Sequence, residues 1–132
     1  MKRRLITSIL ITIVAAYIFC IKANADDVGL IKMHATAYCL DGDTASGKHV
    51  RKGICATGNK EWVGKTCILY QRLPDNSVGE IIGIYEIEDT GCKPTVIDVW
   101  CPDLDECQEF MNRVYEDGCT GRIYTQILDA EG

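Results

Sequence analysis

The chain has 132 residues, 47% of them hydrophobic, and a formal net charge of −5. That length suits one domain with one modest core. The acidic balance argues against a nucleic-acid partner, and any acidic substrate must be held by local contacts rather than by long-range attraction.

The N-terminus reads as a targeting segment. Lys2-Arg3-Arg4 is a basic start, Leu5 to Ile21 is a 17-residue run without charge, and Lys22-Ala23-Asn24-Ala25 offers an A-x-A cleavage site. That order matches a secretory signal peptide over residues 1–25, the alternative being an uncleaved anchor. Membrane attachment is expected only through this segment if it stays uncleaved. Cleavage leaves residues 26–132 as a single domain. It removes four of the 14 basic residues and no acid, so ten face 19 acids and the net charge becomes −9. A secreted, extracytoplasmic location in the cell envelope is expected.

In chain order, Ile31 to Tyr38 alternates apolar and polar positions, which predicts a strand. Leu40 to Gly47 is turn-rich loop. Lys65 to Gln71 is a second strand, Leu73 to Gly79 a hairpin connection, and Glu80 to Glu88 a third strand antiparallel to the second. Val96 to Trp100 is a fourth, apolar enough to predict burial on both sides. Asp103 with Glu106 forms an acidic capping box that starts a helix. Leu104, Cys107, Phe110 and Met111 fall on its apolar face, and it stops near Gly118. Gly121 to Leu128 closes the chain as a strand. No internal repeat or linker is visible. Short strands with one late helix predict a mainly β fold, a small barrel, rather than a βαβ sheet.

Of eight cysteines, Cys20 falls in the leader and seven remain. In an exported chain they read as disulfides with one left over. Cys39 with Cys55 and Cys92 with Cys119 are two of many open pairings, and Cys107 is a candidate buried thiol. No C-x-x-C pair occurs and the two histidines, His34 and His49, are not at ligand spacing, so no metal is expected.

Two carboxylates stand where sequences usually avoid them. Asp98 lies between Ile97 and Val99. Buried, it would be held neutral, as a general acid requires; facing water, it would be an ordinary strand residue. Asp89 opens Asp-Thr-Gly at a strand end, with Thr90 supplying a hydroxyl and Gly91 a permissive backbone; the plain alternative is a turn. Tyr38 could stack on a sugar or fill the core, and Trp62 and Trp100 carry the same ambiguity. Ser46-Gly47 reads as a turn, since no histidine is placed to activate the hydroxyl.

Together these pieces resemble the 3D domain, a bacterial module named for three aspartates and related to the C-terminal part of membrane-bound lytic transglycosylase A and to Sps-type proteins. The matching pieces are Thr36–Tyr38, Thr44–Gly47, Gly53–Ala56, Gly64–Thr66, Glu88–Gly91, Ile97–Val99 and Glu106-Cys107 with Phe110. They run in order over nearly all of the mature chain. The resemblance implies a six-stranded double-psi β-barrel with one short helix after the fourth strand. It implies action on peptidoglycan glycan strands as a lytic transglycosylase at the MurNAc-GlcNAc bond, by a monomer needing no cofactor. Asp98 would be acid and base, Asp89 or the sugar's own acetamido group would stabilise the developing charge, and Thr36, Tyr38, Thr90 and Gly91 would be sugar-binding residues. A glycoside hydrolase or a non-catalytic wall-binding module on the same barrel are the alternatives. The chain departs from the family at Thr57, which stands where the first aspartate belongs, with Asn59 and Glu61 as the nearest polar substitutes. Trp62-Val63-Gly64 replaces the usual Pro-Leu-Gly.

Overall fold

The computed structural model describes residues 29–129, so the expected signal peptide lies outside the described residues. Six strands form a closed barrel: β1 Ile31–Tyr38, β2 Ile54–Thr57, β3 Thr66–Arg72, β4 Val78–Asp89, β5 Val96–Trp100 and β6 Arg122–Leu128. One helix, α1 (Leu104–Tyr115), lies between β5 and β6. The fold is mainly β, as expected. The helix follows Val96–Trp100, which ranks fifth because β2 precedes it in the chain. Among the described residues no helix is long and apolar enough to cross a membrane.

The order around the barrel is β1-β5-β2-β4-β3-β6. Two pairs are parallel, β1 with β5 and β2 with β4, and the rest antiparallel. Thus β5 inserts between β1 and β2, and β2 inserts between β4 and β5. These are the two ψ-shaped crossings of a double-psi barrel. Exchanging β1 with β4, β2 with β5 and β3 with β6 maps the order onto itself. The connections 39–53 and 90–95 are therefore counterparts, and each straddles an inserted strand.

Alternation decides what enters the barrel. Met33 and Ala35 of β1, Cys55 of β2, Cys67 and Leu69 of β3, Ile87 of β4, Ile97 and Val99 of β5, and Ile123 of β6 form the main core. A second cluster, Leu30, Ile68, Tyr70, Val78 and Tyr124, covers the other face of β3 and β6. Two-sided burial was expected of β5, but it belongs to β3, where every residue from Cys67 to Arg72 is buried. In β5 only Ile97 and Val99 are fully sequestered, and Val96, Asp98 and Trp100 share a partly covered outer face.

The helix starts where the capping chemistry placed it. Asp103 Oδ1 accepts the Glu106 backbone N–H at 2.8 Å, satisfying one otherwise orphaned donor. The buried stripe is Phe110 and Val114, with Cys107 and Met111 partly covered. Leu104, expected on that stripe, is instead 75% exposed. The first turn overhangs the barrel, so only the later turns reach the core. Phe110 meets Tyr85 edge to face, with ring centroids 6.4 Å apart, a geometry worth about 0.5–1.5 kcal/mol beyond its burial. The helix ends at Tyr115. A short 3-10 turn (Glu116–Gly118) follows, where Asp117 and Gly118 take left-handed angles of 54° and 75°.

Candidate active site

Cross-strand register puts the two carboxylates on one outer face. Thr36 of β1 pairs with Asp98 of β5, Asp98 with Ala56 of β2, and Ala56 with Asp89 of β4. Direct partners point the same way, and the neighbours Ile97, Cys55 and Ile87 point into the core. Thr36, Asp98, Ala56 and Asp89 therefore form a row across four adjacent strands. Only β2 separates the two acids, two strand spacings or about 10 Å between backbones. The small Ala56 side chain lies between them and leaves the space over β2 to the carboxylates.

Asp89 reaches this face through a β-bulge. Ile54 pairs with Glu86 and Cys55 with Ile87, but Ala56 pairs with Asp89, so Glu88 is an extra residue on β4. Regular pairing would set Glu88 opposite Ala56 and turn Asp89 to the interior, since one step of slip exchanges the two faces.

Each acid is held differently. Asp98 is half-buried and accepts the Thr36 hydroxyl at 2.8 Å. Burial pushes its carboxyl above the ordinary aspartate range, while the Thr36 hydrogen bond pulls the other way. Asp89 Oδ1 accepts two backbone N–H groups, from Ala45 at 3.0 Å and Thr90 at 2.9 Å. Gly91 follows at φ 115°, an angle that side-chain-bearing residues rarely adopt.

Tyr38 sits one step along from Thr36, opposite Trp100. Its hydroxyl is buried and meets no hydrogen-bond partner among the described residues. Burial first, and then the fields of Asp89 and Asp98, push its ionisation upward, so it stays a neutral phenol. It is a donor two residues along β1 from Thr36, the partner of Asp98. Cys92 also feels both acids, with burial and Asp98 raising its thiol, and its Sγ contacts the Val96 carbonyl at 3.6 Å.

The connection 39–53 straps one side of this face. Trp100 Nε1 donates to the Leu40 carbonyl at 2.9 Å, and Ser46 N donates to the Glu88 carbonyl at 2.9 Å. Ser46 Oγ is engaged with Thr44 Oγ1 at 2.8 Å, as a turn hydroxyl. On the other side the connection 90–95 packs on Gly58. A Cβ there would lie 2.4 Å from the Cys92 carbonyl oxygen, so this approach needs glycine. A groove of about 280 Å³ between α1 and the barrel is lined by Trp100, Lys52, Tyr85 and Phe110, and neither Asp98 nor Asp89 lines it.

The remaining expected residues fall elsewhere. Thr57, where the resemblance led us to expect an aspartate, is fully buried and points inward beside Ile97. Asn59 is occupied with the Pro94 carbonyl at 3.0 Å, and Glu61 sits in the short Lys60–Trp62 turn. Trp62 packs against the core. Cys55 lies in the interior with its sulfur 3.7 Å from that of Cys67, rather than beside Cys39. Cys39 and Cys101 instead neighbour Cys107. The place of Ala56 between the two acids and of Glu88 as the extra residue escaped the sequence reading, because a bulge leaves no mark in apolar periodicity. Among the described residues no group of three or more His, Cys, Asp or Glu side chains is arranged so that it could hold a metal ion. No family model, curated protein or solved structure matches the chain.

Proposed function

We propose that this chain is an exported lytic transglycosylase that cleaves the MurNAc-GlcNAc bond of peptidoglycan glycan strands, working outside the cytoplasm as a monomer. The observation that carries the reading is Asp98: a half-buried carboxyl, raised by burial and oriented by Thr36, on one face with Asp89. Such a group is suited to hold a proton at neutral pH and release it to a leaving oxygen.

In this mechanism Asp98 protonates the glycosidic oxygen, and the bond from C1 of MurNAc breaks. Asp89, fixed by the Ala45 and Thr90 amides, faces the positive charge that builds on the sugar. Asp98, now a carboxylate, takes the proton of the MurNAc C6 hydroxyl as that oxygen bonds to C1. The products are a free GlcNAc end and a 1,6-anhydro ring. No water is consumed, and Asp98 ends protonated as it began. Thr36, Tyr38, Thr90 and Gly91 lie around the two acids and are assigned to the sugar.

A second reading is favoured by one specific observation. Thr57 is buried and turned inward, so the first of the family's three aspartates has no counterpart on this face. A barrel that binds glycan without cutting it fits that loss. Digestion of purified peptidoglycan, with mass spectrometry of the released fragments, separates the readings. Anhydro ends that fall about 10²–10⁴-fold with Asp98→Asn support the transglycosylase. Reducing ends mean a hydrolase. Retention of the protein on glycan without products means a binding module.

A further inference from the structure

We infer that Arg51, acting through Glu88, is a positioning residue that holds the bulge of β4 and thereby aims Asp89; its catalytic consequence rests on the function proposed above. Glu88 is the extra residue of that bulge, and its side chain is only 5% exposed. A carboxylate so placed is costly unless it is paired. Arg51 supplies a forked partner: Nη1 donates to Oε2, and Nη2 donates to Oε1 at 2.7 Å. The same guanidinium reaches Glu86 Oε2 at 2.9 Å, so it spans the residues on both sides of Ile87. Lys48 Nζ approaches Glu88 Oε1 at 3.4 Å, but it is 66% exposed and makes one contact.

Arg51 and Lys48 both belong to the strap 39–53. That strap also donates Ser46 N to the Glu88 carbonyl and Ala45 N to Asp89 Oδ1. Two cations and two amides from one connection thus grip two consecutive residues. Without Arg51 the cheapest relief for Glu88 is to turn its carboxylate to water, which removes the reason for the extra residue to stay bulged. β4 then relaxes toward regular pairing, and Asp89 leaves the face it shares with Asp98. Lysine at position 51 cannot reproduce the fork.

The test uses the full chain with Arg51→Met, Arg51→Lys and Glu88→Gln. For Arg51→Met, digestion of glycan strands should lose about 10²-fold in kcat, the scale of a 1 Å misplacement, with KM nearly unchanged. Arg51→Lys should recover only part of that loss. Combining Arg51→Met with Glu88→Gln should cost no more than the worse single change, because both act on one grip. Amide exchange supplies a readout that needs no activity. Ala45 and Ser46 should exchange faster in Arg51→Met, while amides of β3 and β6 stay protected. If Arg51→Met fails to fold, Glu88→Gln carries the same comparison. Protected Ala45 and Ser46 amides in the variants overturn the inference, as does an unchanged kcat. Loosened amides in a chain that cleaves nothing uphold the positioning and reject the enzyme.

Discussion

A half-buried carboxyl raised by burial should weaken the fold at neutral pH. Asp98→Asn tests this without reference to substrate. Burying an ionised carboxylate completely costs several kcal/mol even after relaxation. Asp98 keeps part of its surface in water, which screens that cost. The Thr36 hydroxyl, 2.8 Å away, returns about 1.5–3 kcal/mol to the charged form. The residual penalty is then on the order of 1 kcal/mol. Asparagine has nearly the same shape, carries no charge, and its Oδ1 still accepts from Thr36. The sign follows from linkage. Burial raises the folded-state pKa of Asp98 above the unfolded value. Its favourable contribution is therefore complete below the unfolded pKa and is lost as pH rises through the folded one. Asparagine undergoes no such loss. Asp98→Asn should match the native chain near about pH 3 and exceed it at pH 7 by about 1 kcal/mol, or about 4–8 °C in Tm for a domain of this size. Thermal melts followed by circular dichroism at the two pH values measure it. A melting point at pH 7 equal to or below that of the native chain would refute the reasoning, because Asp98 would then be well solvated as an anion. A gain of equal size at both pH values would assign the effect to packing instead of charge.

Other outcomes follow from single contacts. Gly58→Ala should cost about 1–3 kcal/mol by denaturant unfolding, because its Cβ would strike the backbone of Cys92, Lys93 and Pro94, which has little room to yield. Refolding with glutathione disulfide should link Cys55 to Cys67, releasing two reduced glutathiones, since their sulfurs already touch at 3.7 Å inside the barrel; a peptide map showing Cys39 joined to Cys55 would contradict that placement. His49 is bracketed by Asp43 at 3.2 Å and Asp41 at 2.7 Å, and hydrogen bonds to these carboxylates hold its imidazole above the ordinary histidine range. Its contribution is present below the unfolded pKa and fades as pH rises through the folded one. Amide exchange in residues 41–50 should therefore show a pH-dependent loosening that His49→Asn abolishes.

The two acids lie where the ψ crossings meet. Asp89 ends β4 at one straddling connection, while Tyr38 ends β1 at the other, its counterpart under the internal exchange of strands. Neither connection alone builds the face. The strap 39–53 brings Ala45 to Asp89, and the connection 90–95 closes over Gly58 at the end of β2. Distant segments are joined here because closing the barrel leaves β2 and β5 no other place than between the strands that these connections bridge.

The sequence by itself determined whatever is local. The bounds of β1 and β5 follow from apolar spacing and flanking turns, and the Asp103 cap follows from four consecutive residues. The antiparallel pairing of β3 and β4 follows from a short hairpin. Only the tertiary structure decided the rest. β2 is four residues long and buried throughout, so no alternation announces it, yet it is the strand that spaces Asp98 from Asp89. The two-sided burial of β3 depends on a second cluster assembled from four separate segments. The topological symmetry of the halves has no visible repeat beneath it. The outward turn of Asp89 depends on a bulge clamped by a residue nearly forty positions earlier. Period-two alternation tells which side chains share a face of one strand. It does not tell which strand lies next to it, or at what register, because those are set when the closing barrel must pair every edge and fill one interior at once.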